Sequence, residues 1–569
     1  MKEEDIIIIG TIVCLLIVMI LVMIKNNFAR KKRLLERIRE GWGNVPDREY
    51  SENELAGIKK YSERMRGEQF YLDDITWNDL GMDDIFFLIN NTMSSCGEDY
   101  LYAMLRLPLS DEKTLDERER LITYFSEHEN ERITLQRIFA SIGKIKDISL
   151  TDYVYRINNA DRKKKGKYIF LCFLSFISIV TLFLMPLAGV LFFLAIAVVN
   201  ISVHLKDSSS MEPYFKSLSC ILRVLYAADE LKKLHIPEIK NYTGRIAEDA
   251  QKMKTIKRKA RMLTNSKGME DFWALLASYI NSFFLLDFIM FYGVLDEYDG
   301  HIKEIEELIE LIGILDSALA VSSFREYLPF YSRPEFIDED PVSLEVHDLY
   351  HPLISDPVAN SICVSGGVLI TGSNASGKST FLKMIAVNAI LAQSMHTCIA
   401  SQYRACKFKV MTSMALHDNL LGGESYFIVE IKSLKRIMDE AEKGEPLLCI
   451  IDEVLRGTNT IERIAASSEI LNALSLSHVV CFAATHDIEL SQILKDVYEN
   501  YHFEEEVTGQ DVRFNYMLKP GNASSRNAIT LLEMLGYDKS IVKDARAEAG
   551  VFETEGIWKP LKGEDKNEG

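Results

Sequence analysis

The chain has 569 residues, 48% hydrophobic and 26% charged, with a formal net charge of −18. That length argues against one compact core and for two to four domains, and the composition fits a globular chain with some membrane-spanning sequence. The acidity argues against a surface that grips nucleic acid everywhere, leaving only a local basic stripe for that task. Nine scattered cysteines without a C-x-x-C pair read as reduced thiols of a cytoplasmic protein, not a disulfide framework or zinc site.

Residues 6–24 form an apolar run of about the length a bilayer core needs. Glu3, Glu4 and Asp5 precede it; Lys25, Arg30, Lys31, Lys32 and Arg33 follow. This predicts a transmembrane anchor over 1–29 with the rest of the chain in the cytosol, in preference to a cleaved signal peptide. Residues 30–70 are polar and read as a stalk or linker. From 71 helical patterning dominates, as in TLDERERLITYF at 114–125, with its N-terminal Thr and acidic first turn.

A second apolar stretch spans 168–203. As one helix it would be roughly 54 Å long, against about 30 Å of bilayer core. Met185-Pro186 and Gly189 interrupt it, which predicts a two-helix hairpin. Arg162, Lys163, Lys164, Lys165 and Lys167 before it, and Lys206 after, keep both ends inside. Three membrane spans result, with a buried hairpin of a soluble core as the alternative for the last two. The spans carry almost no ionisable residues, which favours anchoring over transport.

The run KMKTIKRKARM at 252–262 gathers Lys252, Lys254, Lys257, Arg258, Lys259 and Arg261. It suits DNA phosphates, anionic lipid headgroups or a solvated helix face equally well. Residues 302–321 keep apolar residues at three- and four-residue spacing, which predicts a long packed helix. After Pro341 short β-rich runs alternate with helices, the pattern of a mostly parallel sheet.

Within that region TGSNASGKSTFL (371–382) satisfies G-x-x-x-x-G-K-[ST] through Gly372, Gly377, Lys378 and Ser379. It follows the apolar run GVLI and opens an amphipathic helix. Glycines let backbone N–H groups crowd around phosphate, and the helix dipole adds to them. Lys378 would charge-pair the β- and γ-phosphates of ATP and Ser379 would ligate Mg²⁺. LLCIIDE (447–453) reads as a buried strand ending in Asp452, expected on Mg²⁺, and Glu453, expected as general base for the attacking water. A further strand, 479–484, ends in Thr485-His486-Asp487; His486 is expected to sense the γ-phosphate, a structural histidine being the alternative.

The loop GSNASGKST, the segment DNLLGGESYFIVE (418–430) and the run DEVLRGTNT (452–460) together resemble the MutS family patterns GPNMGGKST, DDL-x-x-G-x-STF-x-x-E and DE-x-x-R-G-T. The likeness extends to LKPG (518–521) and LLEMLGYDKSIVKDAR (531–546), and upstream to 71–122, 310–324 and 333–354. It implies an all-α core and lever domain over 71–340, interrupted by the hairpin at 168–204. An α/β P-loop ATPase domain over 341–550 and a polar tail over 551–569 would follow. It also implies a head-to-tail homodimer through the ATPase domains. ATP would be held in cis by Gly372, Ser373, Asn374, Ala375, Ser376, Gly377, Lys378, Ser379 and Thr380, with Ser425 reaching the γ-phosphate in the partner subunit. Lys378, Glu453 and His486 would be catalytic; Ser379 and Asp452 would hold Mg²⁺. The chain departs from the family at Ala375, Ser376 and Glu424, and no aromatic of the kind that stacks on adenine precedes Asn360.

With an anchor and linker in place of a mismatch-reading domain, the expected protein is a membrane-anchored MutS-like ATPase on the cytosolic face of the cell membrane. Its ATP hydrolysis would be coupled to DNA binding. The alternative is a membrane ATPase that works on a protein partner or on its own spans, without DNA.

Overall fold

The computed structural model describes residues 3–108, 111–145, 150–158, 162–264, 279–373, 376–414, 426–508, 511–522, 529, 532–533 and 536–558. Contacts divide the chain into two units, Met1–Tyr71 with Phe86–Pro329, and Leu72–Ile85 with Phe330–Gly569. Up to residue 327 the chain forms α1 (Glu3–Gly41), α2 (Glu52–Met65), α3 (Asp74–Leu80), α4 (Met82–Ile89), α5 (Ser95–Arg106), α6 (Glu112–Glu127) and α7 (Glu129–Ile142). Then follow α8 (Leu150–Asn158), α9 (Lys165–Leu184), α10 (Pro186–Leu231), α11 (Lys240–Lys252), α12 (Lys254–Thr264), α13 (Leu286–Tyr298) and α14 (Ile302–Tyr327).

The first unit is helical, and its helices begin where side chains can cap them. Ser51 accepts from the Glu54 amide while Glu54 accepts from the Ser51 amide, a capping box that starts α2. The long periodic helix expected at 302–321 is α14, buried nearly throughout its C-terminal half. Asp316 on its inner face accepts from the Met93 and Ser94 amides at 3.0 and 2.8 Å and from the Ser94 hydroxyl at 2.6 Å, just ahead of α5. Nearby, Arg325 forks onto Glu119 at 2.9 and 2.6 Å in the same interior.

The predicted hairpin is present: α9 ends at Leu184, Met185 turns, and Pro186 opens α10 at the first helical position, where its missing N–H costs nothing. Gly189 sets the close crossing. A Cβ there would lie 2.6 Å from both Leu182 Cα and Thr181 O. Large apolar side chains point outward along the hairpin, Phe183 and Leu187 being 84% and 86% exposed. By length and composition α9 and α10 are long and apolar enough to cross a membrane. They are the two such helices among the described residues, and the first of the three expected spans falls mostly outside that description. The side chains of most of the 6–24 run lie outside the description. The backbone of α1 runs on to Gly41, past the expected boundary at 29.

A third apolar segment lies against the hairpin, one the sequence reading left without a membrane role. The Asn200 amide donates to the Phe283 carbonyl at 2.6 Å and to the Ser175 hydroxyl at 2.8 Å. Phe176 packs on Phe284 and Phe193 on Phe283, with ring centroids 4.9 Å apart in each case.

The second unit carries β1 (Glu335–Phe336), β2 (Leu344–Leu349), β3 (Asn360–Val364), β4 (Gly367–Thr371), β5 (Gln402–Ala405), β6 (Lys409–Ser413), β7 (Leu447–Asp452), β8 (Val479–Thr485), β9 (Tyr498–Thr508) and β10 (Asp511–Pro520). Its helices are α15 (Lys378–Met395), α16 (Tyr426–Ala441), α17 (Thr460–Ala473), α18 (Ile488–Ile493) and α19 (Lys539–Glu555), together with α3. A six-stranded sheet of order β10-β9-β4-β8-β7-β6 is parallel from β9 to β6, with β10 antiparallel at its edge. A smaller sheet has the order β1-β5-β2-β3. Every residue of β4 and β8 is buried, as expected of parallel strands covered on both faces. Leu369, Cys449, Ile451 and Ala483 of the sheet pack with Leu434 and Ile437 of α16 and Leu471 of α17.

The helix α3 joins this sheet unit. Asp79 accepts from the Thr412 hydroxyl at 2.6 Å and the Met414 amide at 3.0 Å, and Asp73 pairs with Arg436. The expected core domain over 71–340 therefore yields residues 72–85 to the other unit.

Candidate nucleotide site

The order β4-β8-β7 brings three strand ends into line. Thr371 pairs in register with Thr485, and Asp452 with Ala484. Hence the loop after β4, the acids ending β7 and the histidine after β8 emerge side by side at the carboxyl edge, where open α/β sheets bind ligands. A cavity of about 520 Å³ lies there, inside the range typical of small-molecule sites. Ser373, Ser376, Gly377, Lys378, Ser379 and Thr380 line it on the loop side, facing Asp452, Glu453 and His486.

Gly372 stands at φ 146° and Gly377 at φ 105°, so each takes a backbone turn that a side chain would resist. A Cβ on Gly372 would also approach the Phe503 carbonyl to 2.9 Å. Gly377 is the N-cap of α15 and offers no side-chain cap, so the helix N-terminus stays open toward the cavity. The Lys378 ammonium donates to the carbonyls of Gly372 and Ser373 at 2.8 and 2.7 Å. Ser376 Oγ is buried at the cavity wall without a hydrogen-bond partner among the described residues. An orphaned hydroxyl, an open helix end and a buried ammonium in one loop fit an anionic, phosphate-bearing ligand.

Across the cavity the Ser379 hydroxyl donates to Asp452 Oδ2 at 2.5 Å. Burial pushes the Asp452 carboxyl up, and the Glu453 charge adds to that, while the Ser379 bond pulls it down. Glu453 is gripped on both oxygens: His486 Nε2 lies 2.9 Å from Oε1 and Arg456 Nε 2.9 Å from Oε2. The hydrogen bond from His486 is the main cause holding Glu453 below the usual carboxylate range. Its backbone sits at φ 59°, in the left-handed region, as does Leu455 at φ 58°. The Glu453 amide donates to Ala484 O at 3.0 Å and the Arg456 amide to Glu430 Oε1 at 3.2 Å, and these bonds hold the turn against its strain. Among the described residues no group of three or more His, Cys, Asp or Glu could hold a metal alone. The Ser379–Asp452 pair is instead the half-site that suits Mg²⁺, which takes few protein ligands and completes its shell with water and phosphate oxygens.

The structure thus brings together Lys378, Ser379, Asp452, Glu453 and His486 as expected. Asn374, Ala375 and Ser425 lie outside the described residues. It also adds Tyr516, which sequence reasoning missed. Asn360 donates to Tyr516 O at 3.0 Å and accepts from the Leu518 amide at 2.7 Å, where β10 slips register between Phe514 and Leu518. That slip sets Tyr516 at φ 54° and its ring on the cavity, 3.1 Å from where a Gly377 Cβ would stand. The aromatic residues alternating in VRFNYM were the available signal.

The basic run fares differently. Lys252 pairs with Asp249 at 2.9 Å and Glu304 at 3.8 Å, Lys257 with Asp229, and Lys259 with Glu297. Lys254 and Arg258 are exposed, and the side chain of Arg261 lies outside the description. Half of the stripe is therefore already neutralised by the protein's own acids.

These features define a class: an α/β domain with a glycine loop, paired acids and a histidine gathered at parallel strand ends. Residues 368–553 match the family model of MutS domain V. The chain is 31% identical over 255 residues to the DNA mismatch repair protein MutS of Thermus thermophilus, 43% of this chain and 30% of that protein. It is 32% identical over 272 residues to human MutS protein homolog 4, 44% of this chain and 28% of that protein. With MutS of Finegoldia magna it shares 27% over 327 residues, 54% of this chain and 37% of that one. Over residues 368–553 the chain is thus similar to MutS domain V, and its matched stretch spans about a third of the length of these relatives.

Proposed function

We propose that this chain is a membrane-anchored ATPase of the MutS family, which binds ATP with Mg²⁺ at the β4-β7-β8 edge and hydrolyses it. The observation that carries the reading is the 2.5 Å contact between Ser379, at the start of α15, and Asp452, at the end of β7, beside the Glu453–His486 pair. Lys378, the loop amides and Ser376 bind the phosphates. Ser379 and Asp452 would hold Mg²⁺, which would supply positive charge against the phosphates. Glu453, kept ionised by His486, orients water and accepts its proton. Tyr516 offers a ring on which the base stacks.

As in the family, the ATPase domains would pair head to tail, with Ser425 serving the partner's site. The bacterial relatives' names speak of DNA mismatch repair, and DNA coupling at the cytosolic face of a membrane is part of this proposal. A second reading has its own support. Residues 279–298 bind the hairpin through Asn200 and Ser175 and run on into α14. Such a lever would act on the chain's own membrane helices.

Binding and turnover of MgATP by the full chain in detergent test the reading. The wild type binds and turns over MgATP, and Lys378→Ala weakens binding roughly 10- to 100-fold through loss of charge-assisted hydrogen bonds. Equal affinity in that variant would refute the assignment of the phosphate site.

A further inference from the structure

We propose that Arg463 is a positioning residue for the Glu453–His486 pair: through Asp487 it fixes the turn from which His486 projects. This rests on the ATPase reading above and adds a residue that lies outside the cavity lining.

The turn in question is two residues long. Strand β8 ends at Thr485 and α18 begins at Ile488, so His486 and Asp487 alone connect them. Asp487 occupies the N-cap of α18, where an aspartate ordinarily accepts from an amide of the first turn. It makes no such bond. Both of its oxygens are taken by Arg463 instead, Nε donating to Oδ2 at 2.8 Å and Nη2 to Oδ1 at 2.6 Å. The Asp487 amide donates to Thr485 Oγ1 at 3.0 Å and tightens the same turn.

The other end of the fork is rooted beside Glu453. Arg463 lies in the first turn of α17, and Asn459 caps that helix by accepting from the Ile461 amide at 3.0 Å. Asn459 closes the loop that begins at Glu453 and carries Arg456. The fork therefore ties the loop after the base to the residue after the histidine. Side-chain exposures of 23% and 14% place it away from bulk water. There a planar bidentate pair fixes direction as well as distance, which a lysine or a single hydrogen bond does not. The imidazole of His486 is itself exposed and meets Glu453 at 2.9 Å. Its aim depends on its backbone, and the fork holds that backbone from the next residue.

The consequence is a separation of binding from turnover. Lys378, Ser376 and the loop amides do not depend on Arg463; the placing of His486 against Glu453 does.

The test measures MgATP affinity and steady-state turnover of the full chain in detergent for wild type, Arg463→Ala, His486→Ala and the double variant. Arg463→Ala is expected to lower kcat on the order of 10- to 100-fold, the scale of a misplaced catalytic group, with affinity within about twofold of wild type. In the His486→Ala background it should cost less than about twofold more, because residues acting as one unit are not additive. Should Arg463→Ala fail to fold, as judged by lost ATP binding, Asp487→Asn gives the same comparison. Wild-type kcat in the Arg463 or Asp487 variant would overturn the proposal, as would an equal loss with and without His486. A wild-type chain that binds no ATP would overturn the ATPase reading and this proposal together. A wild type that turns over normally beside an indifferent Arg463→Ala removes this proposal alone.

Discussion

At the scale of single residues, the interior of the helical unit holds a carboxyl that should be visible in a pH titration. Burial pushes Asp316 up from 3.8 to about 6, against three hydrogen bonds that favour its charged form. A carboxyl near 6 when folded and near 4 when unfolded binds its proton more tightly in the folded chain. The stability it contributes is present below about pH 4 and is withdrawn as pH rises through 6, in all about 3 kcal/mol. Chemical unfolding between pH 4 and 7 should show wild type losing stability relative to Asp316→Asn across that window; parallel profiles would contradict it. The residues of the candidate nucleotide site were legible because their signals are local. Glycines, lysine and serine sit within one loop, and each acid or histidine follows its own apolar strand. Tyr516 was not legible. Its place depends on a register slip in β10 held by Asn360, which stands 156 residues earlier in the chain. Arg456 could be read as part of a motif, but its grip on Glu453 follows from two left-handed backbone positions that no residue type there announces.

Among elements, the hairpin shows what a local breaker can and cannot say. Pro186 marks the turn because a proline suits the first position of a helix and not its interior. Gly189 does more than permit the turn; it lets α10 approach α9 at Thr181 and Leu182. Replacing Gly189 with Leu should cost about 1–3 kcal/mol by overpacking, read by unfolding of the detergent-solubilised chain. Wild-type stability would show that the two helices do not meet there. The partnership of the hairpin with residues 279–298 was hidden from the sequence for a physical reason. Its central contact is made by the Phe283 carbonyl, ahead of a left-handed Leu285, and a backbone acceptor has no sequence signature. The basic run at 252–262 misled in the opposite sense. Its charges are visible in the sequence, but the acids that neutralise them come from elsewhere, Asp229 from α10 and Glu297 from α13.

For the whole molecule, the proposed function would join an ATP-driven engine to a membrane. Outward-facing Phe170, Phe173, Phe183, Leu187 and Leu191 make the hairpin a poor surface for water and a suitable one for acyl chains. The full chain expressed in cells should stay in the membrane fraction through high salt and alkaline carbonate; release by either would separate the engine from the bilayer. The parallel sheet, the long α14 and the helical character of the first unit were legible from periodicity and the alternation of strands with helices. The transfer of residues 72–85 to the sheet unit was not, because it rests on Asp79 meeting Thr412 and Met414, and Asp73 meeting Arg436, far along the chain. The central claim, that Glu453 activates water on ATP held by Lys378, Ser379 and Asp452, is tested most directly by Glu453→Gln. Phosphate release and retained nucleotide are measured side by side with wild type. The account predicts that the variant keeps ATP bound while turnover falls on the order of 100-fold or more. A variant that releases phosphate at the wild-type rate would contradict it.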